Sequence, residues 1–252
     1  MAGVQNGKGD DAMRFDLLSA IRQHRLIAIL RGFDADQIVP LAEALFAGGI
    51  RLIEVTMNTP DAARQIRALA AHGEGKWHVG AGTVIDVAAA RQALACGATY
   101  FVTPNLDEDV LAFAADAGVD VLPGALTPTE IVRAHRHGAK AVKLFPASAM
   151  GPAYVKDLQG PLAHIPLVAV GGVSLDNAAA YLAAGAVGLG LGSQLLDRQA
   201  LRDGNYALIT ERARQFVQAV SLRIPVDDKE QVPVALQAFT RTNCSCLPSN
   251  WD

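Results

Sequence analysis

A regular alternation limits what this chain can fold into. Short apolar, β-rich runs recur twenty-odd residues apart, each followed by a stretch rich in Ala and Leu. The runs are 26–31, 51–56, 78–82, 100–103, 120–123, 141–145, 167–170 and 187–191. Helical stretches such as 35–47 and 86–95 lie between them, and several end in glycine: Gly48-Gly49, Gly97, Gly118, Gly138 and Gly185. Glycine suits the left-handed residue that closes a helix. Eight βα units at one period predict an α/β protein, a (β/α)8 TIM barrel in preference to the competing doubly wound sheet. An extra N-terminal helix over 14–24 is placed to plug the barrel's N-terminal face, and 206–220 reads as the closing helix. The barrel domain is expected over 14–222. A disordered segment over 1–13 precedes it, and a tail of unassigned role follows over 223–252.

The length of 252 residues and the 51% hydrophobic content fit one large domain. A net charge of -3, with no basic block, argues against a nucleic-acid partner. No run is long enough to span a membrane, and residues 1–11 are polar and Gly-rich, unlike a signal peptide. Cys96, Cys244 and Cys246 do not make a disulfide framework, so a cytoplasmic protein is expected. Cys244-Ser245-Cys246 has the look of a metal or redox pair but no partner ligands near it. His72, His78, His135, His137 and His164 are scattered without metal-ligand spacing, and no metal site is expected.

Two helix starts explain themselves. Thr127-Pro128-Thr129-Glu130 is a capping box with Pro at the first helical position, and Thr59-Pro60-Asp61 resembles another cap.

The chemistry centres on Lys143. In the run 141–145, alternation puts Ala141, Lys143 and Phe145 on one face and Val142 and Leu144 on the other. A lysine inside a strand is costly unless paired or used. Burial lowers its pKa, and a neutral amine can attack a ketone to form a Schiff base. The plain alternative is a lysine whose head escapes to solvent. Glu54 alternates with Ile53 and Val55 and faces the barrel interior with Leu52 and Thr56. It is either the partner in a structural ion pair with Lys143 or a general acid/base beside it.

In a barrel the site forms at the C-terminal ends of the strands. Those ends carry Arg31, Glu54 with Thr56 and Asn58, Thr83, Thr103-Pro104-Asn105, Lys143 with Phe145, Gly171-Gly172, and Gly192-Ser193. The glycine turns after strands seven and eight each lead toward a helix and suit a phosphate. Ser193 either donates to that phosphate or caps its helix. Gly80-Ala81-Gly82-Thr83 offers backbone for close ligand approach. Arg31 either clamps an anion or pairs with a rim carboxylate. A lysine, a carboxylate and a phosphate clamp, with no metal, suggest Schiff-base carbon–carbon chemistry on a keto-sugar phosphate.

Seven segments taken in order resemble one family. They are Ile27-Ala28-Ile29-Leu30-Arg31-Gly32, Glu54-Val55-Thr56-Met57-Asn58-Thr59-Pro60, Gly80-Ala81-Gly82-Thr83-Val84, Val102-Thr103-Pro104-Asn105, Lys143-Leu144-Phe145-Pro146-Ala147-Ser148, Gly151-Pro152-Ala153-Tyr154-Val155-Lys156 and Ala169-Val170-Gly171-Gly172-Val173. From about residue 26 to 196 the chain is similar to the KDPG/KHG aldolases. Within them it is most like the 2-dehydro-3-deoxy-6-phosphogalactonate (KDPGal) type. The resemblance implies a class I aldolase without a cofactor, usually a homotrimer, acting on a keto-sugar acid phosphate. It implies Lys143 as the Schiff-base lysine and Glu54 as the acid/base. Thr83 and Pro104 then line the pyruvate end, Phe145 packs beside the lysine, and Arg31 takes a substrate anion. Gly171, Gly172, Gly192 and Ser193 hold the phosphate. Gluconate-type members usually carry arginine where this chain has Asn58, so Asn58 with Arg31 looks like the galactonate type. The alternatives are KDPG or 4-hydroxy-2-oxoglutarate on the same site and, in other classes, a barrel isomerase or synthase with Lys143 as a point charge, or a non-catalytic phosphosugar-binding barrel.

Overall fold

Among the described residues nine parallel strand segments form one sheet: β1 (Leu26–Leu30), β2 (Leu52–Thr56), β3 (His78–Gly82), β4 (Tyr100–Val102), β5 (Asp120–Leu122), β6 (Gly124–Ala125), β7 (Val142–Leu144), β8 (Leu167–Val170) and β9 (Gly188–Leu191). The computed structural model describes residues 15–221. Hydrogen bonding runs in the order β5-β4-β3-β2-β1-β9-β8-β7-β6. The two ends of that order, β5 and β6, are halves of a single stave split at Pro123, so eight staves ring the barrel. The split has a local cause. Proline supplies no N–H to a ladder. Beyond it the Gly124 N–H turns to the Thr103 hydroxyl at 3.1 Å instead of to a strand carbonyl.

Among the described residues ten α-helices accompany the staves: α1 (Leu17–His24), α2 (Ile38–Ala47), α3 (Ala62–His72), α4 (Val87–Ala95), α5 (Glu108–Asp116), α6 (Pro128–Arg136), α7 (Gly151–Leu162), α8 (Leu175–Ala183), and, after the last stave, α9 (Arg198–Arg202) and α10 (Tyr206–Ser221). The predicted α/β barrel and its eight strands are therefore present. Gly49, Gly97, Gly118, Gly138 and Gly185 all take positive φ just beyond helix ends. The capping box at Thr127 and Glu130 forms as expected. At Thr59 the expectation fails. Asp61 stands at the cap of α3 with no side-chain cap bond. The Thr59 hydroxyl is spent elsewhere, on the Gly32 N–H at 3.0 Å and the Thr56 hydroxyl at 2.9 Å.

Two cores follow from strand alternation. Outward residues such as Val142 and Leu144 pack under the helices. Inward residues, including Ile27, Leu52, Tyr100, Ala141 and Val168, fill the barrel with Leu17, Ala20 and Ile21 of α1. The extra helix thus closes the N-terminal face, as expected. Gly188 makes room for it, since a Cβ there would lie 2.6 Å from Ile21 Cγ2. Asp120 ties the plug down, accepting from the Leu17 N–H and from Lys140 Nζ, both at 3.0 Å. With one end filled, space for a ligand remains at the other. Among the described residues no helix is long and apolar enough to cross a membrane, and no group of three or more His, Cys, Asp or Glu side chains is placed to hold a metal ion. Cys244 and Cys246 lie outside the described residues, as do the segments 1–13 and 223–252.

Candidate active site

Glu54 is the third residue of β2 and pairs in register with Ile29 and Gly80. Its carboxylate lies over Gly82, where a Cβ would sit 1.7 Å from Oε1. Gly80, one pleat lower, gives the same room to the Tyr100 ring, which would lie 2.2 Å from a Cβ. The two glycines of β3 are therefore filled by protein side chains and not by a ligand, which corrects their sequence reading. Only residues without a Cβ let a carboxylate and a phenol stack inside the barrel at this level. Tyr100 donates to the Ile53 carbonyl at 3.0 Å and forms the floor beneath Glu54.

Lys143 enters from β7, paired with Gly124 and Val168. It is 5% exposed and Glu54 is 2% exposed. Burial pushes the Lys143 ammonium below the ordinary lysine value. The Glu54 charge opposes that shift and Arg31 adds to it. Burial pushes Glu54 above the ordinary carboxylate value, against the pull of Lys143 and Arg31. Among the described residues no ion pair within 4.0 Å joins the two, so the structural ion pair is not what holds them. Lys143 Nζ instead lies 4.8 Å from the centre of the Phe145 ring, which is 37% exposed at the barrel mouth.

A cavity of about 210 Å³ joins Lys143 and Glu54 to Arg31, Phe145, Gly171, Gly172, Gly192 and Ser193. The Arg31 guanidinium donates to Asn58 Oδ1 at 3.4 Å and to the Thr83 hydroxyl at 3.2 Å. It pairs with no rim carboxylate among the described residues. Thr83 holds a left-handed backbone (φ 53°) and reaches the site through Arg31. Pro104 does not line the cavity. Its carbonyl backbone packs against Gly124, the register partner of Lys143. Gly171 (φ 97°) and Gly172 (φ 71°) turn the chain after β8, with Phe145 and Ser148 packed against them. Ser174 caps α8 two residues later. After β9 the expected helix does not follow at once. Gly192–Leu195 is a turn closed by the Gly192 carbonyl, and α9 begins at Arg198 with Asp197 as its cap. Ser193 is therefore exposed at the cavity and caps no helix.

Three neighbours of the site went unassigned in the sequence: Ser148, Gln194 and Arg198. Ser148 stood inside a matched motif. Gln194 and Arg198 follow strand eight with no motif around them. A larger groove of about 420 Å³, beside Asn105, Glu108 and Arg133, holds neither Lys143 nor Glu54.

Comparison with known proteins gives the family of the chain. The family model for "KDPG and KHG aldolase" matches residues 17–212. The chain belongs to the KDPG and KHG aldolase family. Two curated relatives in this aldolase family bracket the substrate question. A 2-dehydro-3-deoxy-phosphogluconate aldolase of Pseudomonas aeruginosa is 36% identical over 200 residues, 78% of this chain and 90% of that protein. A 2-dehydro-3-deoxy-6-phosphogalactonate aldolase of Escherichia coli is 40% identical over 172 residues, 68% and 83% respectively. Among solved structures, a native KDPGal structure is 36% identical with a TM-score of 0.73, covering 78% of this chain and 94% of that one. A KDPG aldolase of Legionella pneumophila, with pyruvate captured as a covalent carbinolamine, is 28% identical with a TM-score of 0.74, covering 79% and 97%.

Proposed function

We propose that this aldolase cleaves 2-dehydro-3-deoxy-6-phospho-D-galactonate to pyruvate and D-glyceraldehyde 3-phosphate, with Lys143 as nucleophile and no cofactor. The observation that carries the proposal is a lysine with a lowered pKa, buried in the same cavity as a carboxyl with a raised one. A neutral Lys143 amine attacks the C2 ketone, and loss of water gives the imine. Glu54 supplies the proton for that loss and, once ionised, accepts the C4 hydroxyl proton. The C3–C4 electron pair then moves into the protonated imine, leaving an enamine and releasing the aldehyde. Protonation at C3 and hydrolysis release pyruvate and regenerate the amine. Phe145 shields the imine from solvent, Thr83 positions Arg31 at the pyruvate end, and the Pro104 backbone supports Gly124, the register partner of Lys143. The backbone N–H groups at Gly171, Gly172 and Gly192, with the Ser193 hydroxyl, receive the phosphate. Support for the nucleophile comes from the Legionella relative, whose pyruvate is bound as a covalent carbinolamine.

The Asn58–Arg31 contact supports the galactonate epimer, because it fills the place where gluconate-type members usually carry arginine. KDPG is the second reading, supported by the P. aeruginosa relative. The homotrimer and the cytoplasmic location belong to the same proposal and rest on the family resemblance and the cysteine usage.

The test is borohydride reduction in the presence of pyruvate, followed by peptide mapping. A reduced pyruvate adduct on Lys143 and loss of turnover in Lys143→Ala are expected. A folded protein that forms no adduct, or a Lys143→Ala variant of wild-type rate, would remove Lys143 from the mechanism. Ratios of kcat/KM for the two epimers decide the substrate.

A further inference from the structure

The cavity does not end at Ser193. Arg31, Gly192 and Ser193 also border a second hollow of about 260 Å³, lined as well by Phe33 and Arg198. Arg198 is the first residue of α9. Its Nη2 donates to the Arg31 carbonyl at 3.1 Å, and its guanidinium carbon lies 5.6 Å from the centre of the Phe33 ring. Gly32 (φ 68°) permits this approach, since a Cβ there would lie 3.3 Å from Arg198 Nη2. The neighbouring Asp197 is not a counter-ion for it. One Asp197 oxygen accepts from the Ala200 N–H at 2.9 Å, and the other pairs with Arg212 at 2.9 Å, which ties α9 to α10. Among the described residues neither Arg31 nor Arg198 belongs to an ion pair within 4.0 Å. No carboxylate lines this second hollow.

Two guanidiniums and a hydroxyl thus border one space that no carboxylate lines, with Glu54 reaching Arg31 only from the neighbouring cavity. Like charges held together gain most from a multivalent anion, and a planar guanidinium matches a phosphate with paired N–H donors. We propose that Arg198 is a specificity-determining residue, receiving the substrate's phosphate together with Ser193 and Arg31 and so favouring phosphorylated over plain keto-sugar acids. This rests on the aldolase reading above. It extends the phosphate site beyond the glycine turns to a side chain on the helix after the eighth stave.

The test uses the full chain with Arg198→Ala and Arg198→Lys. Inorganic phosphate binding is read by calorimetry, and kcat and KM are measured on the phosphorylated sugar acid and on the same acid without its phosphate. Loss of a charge-assisted contact is expected to weaken phosphate binding and raise KM for the phosphorylated substrate about tenfold or more, with a smaller change in kcat. The fall in kcat/KM should be at least about tenfold larger on the phosphorylated acid than on the plain one, and Arg198→Lys should recover part of it. Equal losses on both acids, or unchanged phosphate affinity in a folded Arg198→Ala, would overturn the proposal. A wild-type protein that forms no pyruvate adduct would overturn the aldolase reading alone, and phosphate affinity would still decide the role of Arg198.

Discussion

At the scale of single residues, Glu54 shows how a side chain is tuned by what lies beside it. Its carboxyl occupies space that exists only because position 82 is glycine, and Tyr100 beneath it keeps water from below. The result is a carboxyl that burial holds partly protonated at pH values where a surface glutamate is ionised. Glu54→Gln keeps the shape and removes the proton traffic. Steady-state kinetics should show kcat reduced by about 10²–10⁴, with KM little changed. A variant that altered KM alone would mean that Glu54 only binds. The roles of Lys143 and Glu54 could be framed from the sequence because period-2 alternation sends both inward. The partners that tune them could not, because Gly82 and Tyr100 reach Glu54 from other strands.

At the scale of elements, the staves and helices follow local signals: apolar runs, glycine stops and the Thr127 capping box. What departs from expectation is decided over long range. The fifth stave breaks at Pro123, where the missing N–H is a local cause but the next N–H, of Gly124, is satisfied from afar by the Thr103 hydroxyl just past β4. Thr59 leaves its expected cap because the Gly32 N–H, on the loop after β1, needs an acceptor. The turn at Gly192–Leu195 precedes the last helices because Asp197, and not Ser193, has the geometry to cap. Helix α1 depends on an equally distant contact. Asp120 accepts from its first N–H and from Lys140, at the barrel end opposite the site. A buried hydrogen bond to a charged group contributes about 1.5–3 kcal/mol. Asp120→Ala should therefore lower thermal stability by at least that much while leaving kcat and KM near wild type. Loss of activity without loss of stability would mean that the plug acts on the site and not on the fold.

At the scale of the molecule, the barrel carries a charge pattern that stability alone would not select. Lys143 and Glu54 are both buried, and both are shifted toward their neutral forms. The signs give opposite pH dependences. Lys143 has its pKa lowered from 10.5, so the folded state binds fewer protons than the unfolded state over the window below 10.5, and stability rises with pH there. Glu54 has its pKa raised from 4.5, so the folded state holds an extra proton over the window above 4.5, and stability falls as pH rises through it. Between the two windows the fold bears the cost of keeping both charges from water. Apolar replacements of similar volume should relieve that cost. The double variant Lys143→Met with Glu54→Leu is expected to be more stable at neutral pH, by about 1–4 kcal/mol, and to have lost all aldolase turnover. Its stability should vary less with pH in both windows than that of the wild type. Denaturant unfolding across the pH range reads this directly. A less stable double variant would mean that the two charges hold the barrel together, and the argument that they are kept for chemistry would fail with it.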